Sequence, residues 1–255
     1  MVDETLRHQA YLASSKALVN SDLQTAADVF EKAGFSFDSE AGQVSPESSY
    51  GKALRQVALL KDVHVALETG TWDGSGSSLS IAKGLKESIG VLYTIEALEE
   101  KWLKAERHLS DYPVKCLLGV GVDTSFFPTI DDVVSAGGVG DAPQDEWQKW
   151  HSGEKSLAES YPVGLIKPIC ERFKVDFVHI DGGEFSGPNE FKSVRSHCLD
   201  VKFIALDDTQ LYKNKANYAD LAADTAWKVF KENAEDRNGW AIFVHASRLK
   251  ELEAG

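Results

Sequence analysis

The sequence predicts an α/β protein built on an open, doubly wound, mostly parallel sheet, and three observations carry that prediction. Six short apolar runs lie along residues 64–244 with helix-length segments between them. Most of these runs end in acidic residues or glycine. The composition, 43% hydrophobic and 10% aromatic over 255 residues, supports one large core and excludes a disordered or collagen-like chain.

Residues 4–33 carry Leu6, Leu12, Leu18, Leu23, Ala27 and Phe30 among charges, the spacing of one or two amphipathic helices interrupted near Asn20. A Gly- and Ser-rich stretch follows from Gly34 to Ser49, and a further helix is expected over about 50–61. Residues 1–60 therefore read as an N-terminal helical extension, and 61–255 as the main domain. The six runs are His64–Leu67, Val91–Ile95, Val114–Val120, Val175–Ile180, Val201–Leu206 and Trp240–Val244. Runs without polar alternation are what strands look like when helices cover both faces of a sheet. Right-handed crossovers between them wind the sheet in both directions. The long gap between the third and fourth runs contains Gly137, Gly138, Gly140, Trp147, Trp150 and Gly153. It reads as an insertion or lid over 124–160, partly helical, with Trp147 and Trp150 on one face. Those two side chains suit the wall of an acceptor pocket or ordinary helix packing equally well.

Charge and cysteine usage exclude several classes. Lys plus Arg is 27 against 40 for Asp plus Glu, a net charge of −13, the wrong sign for a phosphate backbone. No apolar run approaches a membrane span, and the opening M-V-D-E-T-L-R-H lacks the order of a signal peptide, so a cytoplasmic protein without nucleic-acid or membrane partners is expected. Cys116, Cys170 and Cys198 form no metal or redox motif, and three reduced thiols are expected.

In an open α/β sheet, ligands bind beyond the carboxyl ends of the strands. The first run ends in E-T-G-T-W-D-G-S-G-S-S (Glu68 to Ser78), the second in Glu96, the fourth in D-G-G-E (Asp181 to Glu184) and the fifth in D-D-T (Asp207 to Thr209). Gly70, Gly74 and Gly76 permit a tight turn that opens a helix, in the spacing G-x-x-x-G-x-G rather than the dinucleotide G-x-G-x-x-G. Glu96, 26 residues after Gly70, stands where a carboxylate accepts from two ribose hydroxyls. Loop and carboxylate together indicate an adenosine-containing ligand.

On these residues the chain, over about 60–246, resembles class I S-adenosylmethionine-dependent methyltransferases, specifically metal-dependent O-methyltransferases of the catechol, caffeoyl-coenzyme A and macrocin type. The resemblance implies a seven-stranded sheet and transfer of a methyl group to a hydroxyl of a small molecule such as a sugar or phenol. It implies donor contacts at Glu68, Thr69, Gly70, Trp72, Gly74, Ser75, Ser77, Glu96 and Asp181. It also implies Mg²⁺ or another divalent cation at Asp181, Asp207 and Asp208, where a hard cation would lower the acceptor oxygen's pKa. The other reading of Asp207 and Asp208 is a helix N-cap pair.

Two departures from the family pattern are visible. Where the family places a Lys or His base, three residues after the first metal-binding Asp, this chain has Glu184. Gly183 stands where some members place a Trp against the adenine, leaving Phe185 and Trp72 as candidates for that surface. His179 projects to the same face as Asp181 and suits either a base or a satisfied core residue. Asp123 falls in the adenine-contact region in an ambiguous register. Asp181, Glu184 and His179 are the candidate catalytic residues. The alternatives are a metal-independent methyltransferase using Glu184 or His179, a non-catalytic binder of S-adenosylmethionine or a nucleotide, and a nicotinamide oxidoreductase. The N-terminal helices suit a pocket cap or a homodimer contact.

Overall fold

The computed structural model describes residues 44–123, 125, 127–136, 143–161 and 164–249. The helices expected within 4–33 lie outside the described residues. The elements run α1 (Ser49–Ala58), β1 (Val65–Thr69), α2 (Ser77–Ser88), β2 (Val91–Glu96), α3 (Glu99–His108), β3 (Val114–Leu118), α4 (Ile130–Ser135), α5 (Gln144–Glu159) and α6 (Ile166–Arg172). Then follow β4 (Phe177–Ile180), α7 (Gly187–His197), β5 (Phe203–Leu206), α8 (Tyr212–Ala223), β6 (Trp227–Asn233) and β7 (Trp240–His245). Among the described residues no helix is long and apolar enough to cross a membrane.

The seven strands form one sheet in the order β3-β2-β1-β4-β5-β7-β6. Strands β1 to β5 pair in parallel, and β7 runs antiparallel between β5 and β6. The order reverses between β1 and β4, which creates the crevice where such sheets bind ligands. All six runs read from the sequence contain a strand. The seventh strand, β6, lies at an edge and alternates buried Trp227 with exposed charges such as Lys228, so it has no continuous apolar run.

Two cores sandwich the sheet. On one face Tyr50, Leu54 and Val57 of α1 and Ile81 and Leu85 of α2 pack on Leu92, Phe177, Phe203 and Ile242. On the other, Ile166 and Ile169 of α6, Phe191 and Val194 of α7 and Leu221 of α8 pack on Leu67, Val178, Ile180 and Phe243. Alternate residues of each strand face opposite layers, which is why these strands read as unbroken apolar runs. Helix α1, started by the Ser48 side chain accepting from Gly51 N at 3.0 Å, belongs to this packed body. Val44 and α1 thus share the core of the sheet.

The expectation of three reduced thiols is also corrected. Helices α6 and α7 pack together and bring Cys170 and Cys198, 28 residues apart in sequence, into a disulfide with Cα atoms 5.0 Å apart. Cys116 remains a free thiol.

Candidate functional site

A row of buried polar side chains crosses the sheet beneath the glycine loop. Parallel register sets Glu68 of β1 between Thr94 of β2 and His179 of β4. Glu68 Oε1 accepts from His179 Nδ1 at 2.9 Å, and Oε2 accepts from Thr94 Oγ1 at 2.7 Å and from Ser78 Oγ. Burial pushes the His179 pKa down, but the hydrogen bond and charge of Glu68 outweigh it and raise the imidazole above its ordinary value. His179 Nε2 is buried without a hydrogen-bond partner, and the ring meets Tyr50 edge-on. His179 thus lies in the core, away from the cavity lining, with only one ring nitrogen satisfied.

Above this row the chain turns sharply. Gly70 has φ +82° and Gly74 φ +77°, and Trp72 adopts φ +53° between them. A Cβ on Gly74 would meet Ala105 Cα at 2.9 Å, so α3 closes directly on the loop. Gly70 N donates to Ile95 O at 3.0 Å, tying the turn to β2. Asp73 Oδ1 accepts from Ser75 N at 2.9 Å and braces the loop internally.

These elements enclose a cavity of about 790 Å³ at the reversal point of the sheet. Thr69, Gly70, Trp72, Ser77, Glu96, Asp181, Glu184 and Asp208 line it, as does Gly119–Val122 after β3. Other expected residues lie behind that wall: Glu68 and His179 in the polar row, Gly74 and Ser75 in the turn, and Asp207. Asp123 is exposed and accepts from Ser125 N at 2.8 Å. Phe185 is fully buried with Val133, Phe127 and Trp147 and does not reach the cavity, whereas Trp72 does, carrying Lys101 Nζ 3.6 Å from its ring centre.

Helix α5, part of the expected lid, brings Gly153, Glu154, Leu157 and Ala158 to the cavity. Trp147 packs beside Phe185 while Trp150, one turn on, is 46% exposed, and neither lines the cavity. Glu154 accepts from Ser186 N at 3.0 Å, and Tyr161 Oη donates to Ala97 O at 2.8 Å, which pins the lid to the loops after β4 and β2. Glu190 of α7 accepts from Thr69 Oγ1 at 2.8 Å. Sequence reasoning missed Glu154 and Glu190 because neither follows a strand; the helical position of each gave no spacing signal.

Glu96 accepts backbone N–H groups from Trp72 at 2.7 Å and Leu98 at 2.8 Å. Burial nevertheless raises its pKa to about 7. Burial and the neighbouring charges of Asp181 and Asp208 likewise raise Asp207 to about 7. Folded-state values above the ordinary carboxylate range mean that both groups stabilise the fold below about pH 4.5 and lose that contribution as pH rises through 7. The melting temperature of the ligand-free protein is expected to fall between pH 5.5 and 8, and Glu96→Gln is expected to flatten the trend; equal slopes for variant and wild type would refute this assignment.

The remaining acids gather at one end. Asp181, Asp207 and Asp208 each offer an oxygen within 4.8 Å of the others. Asp208 holds φ +51°, and α8 starts at an N-cap, Leu211, with no side-chain cap, so the N-cap reading of the pair does not apply. Lys213 Nζ instead lies 2.9 Å from Asp181 Oδ1 and 2.9 Å from Asp208 Oδ2. Arg237 Nη2 lies 2.8 Å from Asp207 Oδ2, and Asn238 Nδ2 donates to Asp208 Oδ1 at 2.9 Å. Burial alone would lower the Lys213 pKa, but Asp181, Glu184 and Asp208 hold it well above the ordinary lysine value.

The three carboxylates are close enough for a divalent ion, yet the residues around them do not fit one. The oxygens at Lys213, Arg237 and Asn238 are already engaged. A divalent ion and an ammonium roughly 4 Å apart would repel by about 8 kcal/mol at an effective dielectric near 20. The expectation of Mg²⁺ at this trio is set aside on that ground.

No protein-family model matches the chain, and no curated protein matches it. Solved structures with a similar chain course include an O-methyltransferase from Bacillus cereus in complex with SAH, at 16% identity, 88% coverage of this chain, 90% of that one and a TM-score of 0.46. TomG, an O-methyltransferase from Streptomyces achromogenes in complex with SAM, gives 16% identity, 88% coverage of both chains and 0.46. A methyltransferase from Geobacter sulfurreducens gives 14%, 78% of this chain, 79% of that one and 0.47. At these values the likeness carries no chemistry by itself.

Proposed function

We propose that the protein is an S-adenosylmethionine-dependent methyltransferase acting on a hydroxyl of a small molecule such as a sugar or phenol. The observation that supports this reading is the charge of the cavity. Asp181, Asp208, Glu184 and Glu190, together with Glu96 and Glu154, whose pKa values burial raises to about 7, line it against Lys213 and Arg237. Such a wall attracts a cationic sulfonium and repels the pyrophosphate of a nicotinamide dinucleotide, which argues against the oxidoreductase alternative. Glu96 is the ribose acceptor, Gly70 and Thr69 approach the methionine part, and Gly119–Val122 flank the adenine. A cavity of about 790 Å³ has room for donor and acceptor together.

The sulfonium supplies an activated methyl group to whichever nucleophile is held in line with it. Glu184, 39% exposed and 3.8 Å from Lys213 Nζ, is the group placed to take the acceptor's proton. Its carboxylate receives that proton as the acceptor O–H bond breaks; the O–CH₃ bond forms while the S–CH₃ bond breaks, leaving a neutral thioether. Exposure lets Glu184 return the proton to water.

Incubation with methyl-labelled S-adenosylmethionine and a panel of catechols and sugars is expected to yield labelled ethers. Glu184→Gln is expected to lower kcat by about 10²–10³ with little change in donor KM, the size of a lost general base. Donor binding with no label in any acceptor would select the non-catalytic reading instead.

A further inference from the structure

We propose that Lys213 is the resident cation of this site, its ammonium standing between Asp181 and Asp208 where a divalent ion would otherwise sit, and offering its third N–H to the acceptor oxygen. The second half rests on the methyl-transfer reading; the first does not. An ammonium carries three protons. Two meet Asp181 Oδ1 and Asp208 Oδ2 at 2.9 Å each. Glu184 Oε1 at 3.8 Å is too far for a hydrogen bond, and Lys213 is among the residues lining the cavity, so the third proton is available there.

The lysine is built in rather than draped over the site. Its side chain is 5% exposed. Gly187, at the start of α7, packs so closely on Lys213 O and Cγ that a Cβ there would clash with both. Asn217 Nδ2 donates to Lys213 O at 3.3 Å, and Asn214 beside it donates to Ile180 O at 3.0 Å and Asp207 O at 2.7 Å. Helix α8 thus joins the ends of β4 and β5 and delivers the ammonium to their carboxylates. Chemically, a fixed positive charge with one unspent donor lowers the cost of a developing alkoxide or phenolate, the service a metal performs in the related chemistry.

The test uses the full chain and Mn²⁺ as probe, followed by the loss of the free-ion signal in electron paramagnetic resonance. Wild type is expected to bind no stoichiometric Mn²⁺ at millimolar concentration, whereas Lys213→Ala and Lys213→Met, with Asp181 and Asp208 released from the ammonium, are expected to bind one. Wild-type binding of one Mn²⁺ that disappears in Asp208→Asn would overturn the proposal, as would folded lysine variants that bind none. Melting curves establish which variants are folded, and the wild-type arm decides even if neither is. In turnover, wild type is expected to be unaffected by chelator, and Lys213→Met to lose about 10²–10³ in kcat with unchanged affinity for S-adenosylhomocysteine. Chelator-abolished turnover, or an unchanged kcat in Lys213→Met, would contradict it. Failure to bind S-adenosylhomocysteine would remove the methyl-transfer reading while leaving the Mn²⁺ result to decide the first half.

Discussion

Glu68→Ala is expected to lower the melting temperature by roughly 10 °C while leaving the affinity of the folded protein for S-adenosylhomocysteine nearly unchanged. Glu68 is buried in the middle of the sheet and accepts from Ser78, Thr94 and His179. Its removal takes the shared acceptor from three donors, of which Ser78 and Thr94 keep contacts to Thr71, and leaves a buried imidazole without its counter-charge. Breaking a buried pair in this way costs about 3–5 kcal/mol, a large share of the roughly 5–15 kcal/mol that stabilises a domain. Glu68→Gln keeps the shape and one acceptor and is expected to cost less. The family resemblance makes Glu68 a donor contact, whereas the structure puts it behind the cavity wall. Thermal melts combined with binding isotherms separate the two roles: loss of affinity in a still-folded variant would restore the direct contact.

Gly70→Ala is expected to abolish donor binding and to destabilise the domain together. A methyl group at Gly70 would fall on the carbonyl of Asp181, and φ +82° is a region that costs a side-chain-bearing residue about 1–2 kcal/mol by itself. Relief requires the β1 turn and the β4 loop to separate, displacing Asp181 and, through Lys213, Asp208. Gly153→Ala is the control, since its Cβ would meet nothing within 4 Å inside helix α5. That change is expected to stabilise by up to about 1 kcal/mol through helix propensity. Chemical denaturation of both variants checks the contrast; equal effects would show that glycine content rather than the Gly70 geometry matters.

The strands of this fold were legible because burial on both faces writes itself into the sequence as unbroken Val, Ile and Leu. Strand β6 escaped because one face of an edge strand meets water. Its signal was the turn Asn238-Gly239, where Gly239 has φ +77°, between Trp227–Asn233 and Trp240–His245. The cavity wall was legible at the strand ends, as with Glu96, Asp181 and Asp208. It was opaque where helices return side chains to that rim, since no spacing rule carries Lys213 of α8 or Glu154 of α5 back to the sheet. The Cys170–Cys198 pair was hidden for the same reason, because helix packing rather than sequence separation brings the two together.

Titration calorimetry with S-adenosylhomocysteine addresses the central claim, that the acidic crevice between β1 and β4 seats an adenosyl sulfonium donor on Glu96. One equivalent is expected to bind to wild type. Glu96→Ala is expected to weaken binding by more than tenfold, since two charge-assisted hydrogen bonds at about 1.5–3 kcal/mol each are lost. Absence of heat with S-adenosylhomocysteine, or an affinity indifferent to Glu96, would contradict it.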